Sequence, residues 1–238
     1  MSISSNYITL QRQIADECGD NQALLSPLSD SALTLSPIQN AIQSAIAKWE
    51  REPFYFNDLR VEPTNASPFK TVVAQEFYSS WDYAGLATIA AIKSVRVLIG
   101  NNRYPLNQRD SNYMNDVSIN PTNTGQPVDY SFDANQMRFF PIPDAIYPVG
   151  LTGTLRLAAL VNDTDANAWT QDAYDLIRCE AKIILAREVT YDEQIEANSK
   201  RAIYGTPGDP TERGYLYALK AETTRRHANR SKIRPTYF

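Results

Sequence analysis

From Ile38 to Trp49 the apolar positions recur at helical spacing, with Ile38, Ala41, Ile42, Ala45, Ile46 and Trp49 on one continuous stripe. Ser36 stands where an N-cap belongs, and Pro37 occupies the first helical position, where its missing N–H costs nothing. Pro53 stops the pattern. An earlier helix is predicted from about Ser5 to Cys18, with Tyr7, Leu10, Ile14 and Cys18 on one face and Gly19 as its C-cap. A polar, Ser/Leu-rich connection, residues 20–35, separates the two.

Beyond Phe54 the period changes to two. The run Phe69-Lys70-Thr71-Val72-Val73-Ala74 is rich in β-formers. Ile89 to Ile99 carries the alternation Val95-Arg96-Val97 and ends at the turn cluster Gly100-Asn101-Asn102, after which Arg103 to Leu106 reads as the returning arm of a hairpin. Val128 to Phe132 and Met137 to Phe140 flank Asp133-Ala134-Asn135-Gln136, a second hairpin. Gly153 to Leu160 reads as a third apolar strand, and Asp110 to Val117 as a short helix between strands. Helix returns after the Asn162-Asp163-Thr164-Asp165 turn. Trp169, Ala173, Leu176, Ile177, Ile183 and Ile184 mark its face, and this helix, or a second one, continues through Tyr191, Ile195 and Ile203. Gly205 to Pro210 is a break, and Pro210 is predicted to open a final helix bearing Tyr215, Leu216 and Leu219.

The expected fold class is therefore α+β. The N- and C-terminal segments, 1–53 and 162–229, must pack on each other as a helical bundle, because neither buries its stripe alone. Residues 54–161 form a large inserted antiparallel β domain, a small sandwich or open barrel, and 230–238 form a C-terminal arm. Composition follows the same division. Most of the 14 prolines fall in the middle segment, whereas both ends are rich in Ala, Gln, Glu, Lys and Arg. At 43% hydrophobic and 21% charged, the chain has the composition of an ordinary globular protein. No stretch approaches the roughly 18–20 apolar residues of a membrane span, and Met1 to Asp20 has no basic n-region followed by an apolar core, so no membrane contact and no signal peptide are expected.

The chemistry of catalysis is sparse. The single histidine, His227, sits among Arg225, Arg226 and Arg230, whose charges disfavour an imidazolium. Cys18 and Cys179 lie on separate predicted helices, and the default reading is two reduced thiols acting as small core hydrophobes, a disulfide being the alternative. Neither has metal-site spacing, and no phosphate-loop motif occurs, so no metal and no cofactor are expected. The acid pairs Asp163 with Asp165 and Asp192 with Glu193 read as caps and solvated faces. The expectation is a protein that is not an enzyme.

Two features suggest contacts with other molecules. Arg225, Arg226, Arg230, Lys232 and Arg234 are interrupted by no acid, and the chain ends Pro235-Thr236-Tyr237-Phe238. Three readings stay open: a solvated helix end complementing the helix dipole, an arm docking an acidic partner with Tyr237 and Phe238 as anchors, or nucleic-acid contact, which a formal net charge of −4 disfavours. The 14 tyrosines exceed the needs of a core this size, and Tyr78, Tyr83, Tyr104, Tyr113, Tyr130 and Tyr147 fall on predicted strands or loops, as interface tyrosines do. On residues alone the competing readings are an oligomeric connector, a monomeric β-rich ligand- or glycan-binding module with helical ends, and a weak hydrolase.

The helix Ile38 to Trp49 followed by Arg51-Glu52-Pro53-Phe54 resembles the opening of tailed-bacteriophage head-to-tail adaptor proteins, also called head-completion or connector proteins. The run Ile92 to Val97 leading to Gly100-Asn101-Asn102-Arg103-Tyr104-Pro105-Leu106 is similar as well. Met137 to Asp144 with Tyr147, the Asn162-Asp163-Thr164 turn, Trp169, the helix Ala173 to Arg187 and the Arg-rich final helix follow in the same order. The resemblance spans about residues 5 to 230 and is closest to the short-tailed-phage type. It implies a ring, usually twelve-fold, beneath the portal protein. The lower surface would accept a tail tube or nozzle protein, and the channel would pass DNA without recognising it. It further implies a virion component of the neck, made in the host cytoplasm, and assigns portal contact to the arm: Arg225, Arg226, Arg230, Lys232, Arg234, Tyr237 and Phe238.

Overall fold

The computed structural model describes residues 6–19, 22–25, 35–119, 123–209 and 211–228. In chain order the first elements are α1 (Tyr7–Glu17), α2 (Pro37–Trp49), β1 (Asp58–Val61), β2 (Phe77–Tyr78) and β3 (Ile89–Ile99). Next come β4 (Asn102–Pro105), β5 (Asn107–Gln108), α3 (Ser111–Val117), β6 (Thr124–Gly125), β7 (Asp129–Asp133), β8 (Gln136–Phe140), β9 (Ile142–Pro143) and β10 (Val149–Leu155). The chain closes with α4 (Ala168–Gln171), α5 (Tyr174–Leu185), α6 (Glu193–Tyr204) and α7 (Tyr215–Ala228). Helices at both ends and strands in the middle make the class α+β. The chain divides into two compact units, residues 1–56 with 157–238, and residues 57–156.

The helical unit begins at a cap, where the Asn6 side chain accepts from Thr9 N at 3.1 Å. α2 carries a full capping box: Ser36 Oγ accepts from Gln39 N, and the Gln39 side chain accepts from Ser36 N. The faces of α1, α2, α5 and α6 meet in one core holding Leu10, Ile14, Ile38, Ile42, Leu176, Ile177 and Ile203. Each such side chain contributes roughly 1.5–3 kcal/mol by burial. Cys18 and Cys179 are buried free thiols in that core, and desolvation pushes both thiol pKa values up. Trp169 packs edge-on against Phe54 and Phe56 at 6.0 and 5.0 Å between ring centres.

Charged groups set the register of these helices. Buried Glu180 on α5 accepts from Lys48 Nζ at 2.6 Å and from Trp49 Nε1 at 3.3 Å, tying the end of α2 to α5. Glu17 on α1 accepts from Lys182 and Arg178 of α5. Of the two readings of the segment through Tyr191, the second helix is the one that forms, because the chain breaks at Tyr191 and α6 carries Ile195 and Ile203. Residues Ala186–Thr190 form a π-helical turn, Tyr191 adopts φ +53°, and Asp192 caps α6 by accepting from Gln194 N and Ile195 N. The final helix starts at Tyr215, later than the position predicted from Pro210 (which lies outside the described residues), because residues 211–214 form a turn built on Asp209, whose carboxylate accepts from Thr211 N at 2.8 Å.

The β unit holds two four-stranded sheets, ordered β1-β10-β3-β4 and β2-β8-β7-β5, with a small parallel β6–β9 pair. Leu59, Val95, Val97, Val149 and Leu151 from the first sheet and Tyr78, Tyr130, Met137 and Phe139 from the second share one core. Both predicted hairpins form. Gly100 at φ +60° fills the first turn position between β3 and β4, while Ala134 and Asn135 both have positive φ between β7 and β8, as a type I′ turn requires. α3 forms behind its Asp110 cap, and Arg138 of β8 pins it by donating to Asn115 and Ser118 while also donating to Glu76.

Two strand predictions shift. The third apolar strand runs over Val149–Leu155, not Gly153 to Leu160, and lies between β1 and β3. Gly150 and Gly153 belong inside it because a Cβ at Gly150 would overlap Pro63, and one at Gly153 would overlap the Ala91 carbonyl. The run from Phe69 to Ala74 makes only an isolated bridge, Lys70 with Pro148. It is held instead through Thr71, whose hydroxyl donates to Ala145 O, leaving Val72 and Val73 exposed.

Candidate docking surface

The basic C-terminal segment is delivered by α7, which lies against the helical unit through polar groups more than through an apolar stripe. Thr223 is its buried polar residue. The Thr223 hydroxyl accepts from Tyr55 N at 3.2 Å and donates to Leu219 O. Lys220 pairs with Glu52 at 3.2 Å. The Arg226 guanidinium sits 3.7 Å from the centre of the Tyr55 ring, a cation–π contact. Tyr55 in turn donates its hydroxyl to Asp172 at 2.8 Å. Burial and that hydrogen bond push the Tyr55 phenol up to about 12, so it stays a donor throughout the physiological range.

Glu222 accepts from both Arg225 and Arg226, three and four residues on. These donors hold its carboxyl down at about 2. Arg225 and Arg226 are therefore not unopposed cations: one acid just upstream orients both, and Arg226 is further fixed on Tyr55. Arg230, Lys232, Arg234, Tyr237 and Phe238 lie outside the described residues. Tyr55 is not legible in the sequence as a partner of this segment, because its contacts span more than 160 residues. The Glu222 spacing, by contrast, is a readable helical signal.

The last turns of α6 and the residues that follow it line a cleft of about 340 Å³ with Ala197, Lys200, Arg201, Tyr204, Gly205, Thr206 and Pro207. Glu196 accepts from Arg187 and pairs with Lys200, and Glu212 accepts from Arg201.

On the β unit the loop following Thr71 presents Val72, Val73, Phe77 and Trp81, and Trp81 is 97% exposed. Its polar groups turn inward. The Tyr78 hydroxyl accepts from Val72 N and donates to the Gln75 carbonyl, and Asp82 accepts from Ser79 N, Ser79 Oγ and Gln75 Nε2. Ser79 N and Gln75 lead the groups that hold the Asp82 carboxyl below the usual carboxylate range. Among the tyrosines singled out in the sequence, Tyr78 and Tyr130 are core residues, while Tyr104 and Tyr113 are exposed.

Among the described residues no group of three or more His, Cys, Asp or Glu is placed to hold a metal ion. Asp165 accepts from Val161 N and Asn162 N, and Asp192 caps α6, so one acid of each pair serves a local turn or cap. No described helix is long and apolar enough to cross a membrane.

A family model described as SU10 adaptor protein matches residues 5–220. The chain belongs to that family. It is a bacteriophage head-to-tail adaptor, a structural component of the virion. No curated protein matches it. The matched span covers both units and α7 as far as Lys220, so the adaptor's last helical turns and basic end lie beyond the part the family defines.

Proposed function

We propose that this adaptor assembles as a ring, of about twelve copies, beneath the portal vertex of the phage head, and joins it to a tail tube or nozzle protein below. The family match over residues 5–220 is the observation that carries this reading. In it the helical segments, 1–53 and 162–229, build the ring body, and the β insertion offers surface to neighbouring or tail proteins. The lumen passes DNA by non-specific contact, without reading its sequence. The segment from Arg225 to Phe238 is the portal contact. It holds five cations, of which Arg225 and Arg226 are paired with Glu222 just upstream, and no acid of its own, in a chain of formal net charge −4, which suits an acidic groove, and Tyr237 and Phe238 supply apolar anchors.

Mass photometry of the adaptor with and without purified portal rings tests the assembly. A discrete increment of about twelve adaptors per portal ring is expected, whether or not the adaptor is monomeric alone. An adaptor that stays monomeric and unbound at saturating portal refutes the reading. Truncation after Ala228 tests the arm separately: portal affinity should fall by about a hundredfold, as loss of two or more anchors implies. Unchanged affinity removes the arm from the interface and leaves the ring intact.

A further inference from the structure

We infer that Tyr55 is a positioning residue, which holds the Arg226 guanidinium so that it grips a carboxylate of the portal in a two-pronged hydrogen bond. That role rests on the portal contact proposed above and names what sets its first anchor. Arginine carries its N–H groups along the edges of a flat ion, and its faces are free to stack on an aromatic ring. Arg226 uses both. Its guanidinium carbon lies 3.7 Å from the centre of the Tyr55 ring, so one face is taken. Nε donates to Glu222 at 2.6 Å, so that position on the edge is taken too. Among the described residues neither Nη of Arg226 has a hydrogen-bond partner, and the side chain is 52% exposed. The pair of Nη groups is what remains for a planar acceptor with two oxygens. Arg225 differs. It spends Nε and an Nη together on Glu222, at 2.7 Å each, and no ring fixes it.

Tyr55 is itself held at both ends. Its hydroxyl donates to Asp172 at 2.8 Å, its N–H donates to the Thr223 hydroxyl at 3.2 Å, and Phe56 packs edge-on against the ring at 5.3 Å. Thr223 and Arg226 are three residues apart on α7, so Tyr55 seizes the helix at two points one turn apart. A guanidinium stacked on a fixed ring has lost much of its rotamer freedom before any partner arrives, which lowers the entropy cost of docking. Net charge does not select the acceptor. Arg225 and Arg226 are set against Glu222 and against Asp172, which attracts Arg226 from beyond the phenol, and Lys220 is paired with Glu52. Selection therefore falls to geometry, the open Nη pair at a set angle to the ring.

Affinity of the full-length adaptor for purified portal rings, measured by interferometry, tests this as a double-mutant cycle. Arg226→Ala should weaken binding about tenfold, and Arg226→Lys about as much, because lysine keeps the charge but has no fork. Tyr55→Leu should weaken it by a similar factor, while Tyr55→Phe, which keeps the ring, should stay within about threefold of wild type. In the Arg226→Ala background Tyr55→Leu should cost nothing further, an outcome that a purely structural role for Tyr55 would not give. The inference is overturned by losses that multiply independently, or by Tyr55→Leu or Arg226→Lys binding like wild type, and the portal contact then stands on the rest of the segment. Arg226 is exposed, so the lysine variant still decides the matter if Tyr55→Leu fails to fold. If the wild-type adaptor does not bind portal rings, the portal reading falls and this role falls with it.

Discussion

Glu17 draws donors from two helices, accepting from Gln13 on its own helix and from Lys182 and Arg178 on α5. Desolvation raises its pKa, but Lys182, Gln13 and Arg178 more than offset that, and the carboxyl ends below its ordinary 4.5. A carboxyl more acidic in the folded than in the unfolded chain stabilises the fold at any pH above the unfolded value. That contribution is lost as pH falls from about 4.5 through the depressed folded value, where the unfolded chain binds the proton more tightly. Glu17→Gln should therefore cost about 1–2 kcal/mol at neutral pH, the worth of charge-assisted hydrogen bonds at a half-buried site. The difference from wild type should shrink as pH drops below 4.5. Paired melts across that range check it, and a difference independent of pH would mean that Glu17 acts through packing alone.

At the scale of elements, the α6–α7 corner depends on two glycines set against each other. Gly205 has φ +81°, and a Cβ on it would overlap the Glu212 carbonyl; a Cβ on Gly214 would overlap the Ile203 carbonyl. Gly214→Ala should consequently push α7 off α6 and cost more than about 1 kcal/mol. Hydrogen exchange should show it as faster exchange along α7, with α1, α2 and α5 unaffected. The sequence marked this corner as a break but placed the helix start too early, because Pro210 is a strong helix opener and nothing local reveals the backbone contact at Gly214. Elements whose cause is local were legible: α2 from its stripe with Ser36 as cap and Pro37 behind it, the β7–β8 hairpin from Asp133 to Gln136, α3 from the stretch Asp110 to Val117. Elements whose cause is a neighbour were not. The sequence predicts that the third strand begins at Gly153, yet Gly150 and Gly153 both sit inside β10, an inner strand of its sheet, for lack of room beside β1 and β3. Val72 and Val73 have strand propensity, but Tyr78 and Thr71 claim the backbone around them for a loop. The candidate site divides in the same way: the basic segment stood out as composition, whereas Trp81 is ordinary in sequence and conspicuous only by its exposure.

For the whole molecule, the decisive fact is that each unit owns its core. Among the described residues, the buried members of the helical cluster lie up to Phe54 and from Leu160 onward, and those of the β cluster between Leu59 and Leu151. The chain enters and leaves the β unit on adjacent strands, with Asp58 opposite Thr154 in the antiparallel β1–β10 pair and Leu155 N donating to Asn57 O at 2.8 Å. Paired strand residues are about 5 Å apart, so a short flexible loop can span the gap from Phe56 to Leu157 at small entropic cost. Joining those residues through about six Gly/Ser residues should yield a helical protein that unfolds cooperatively, and residues 57–156 alone should fold as a β protein. Circular dichroism and thermal melts of both pieces decide this, and a molten helical piece would show that the insertion props the body up.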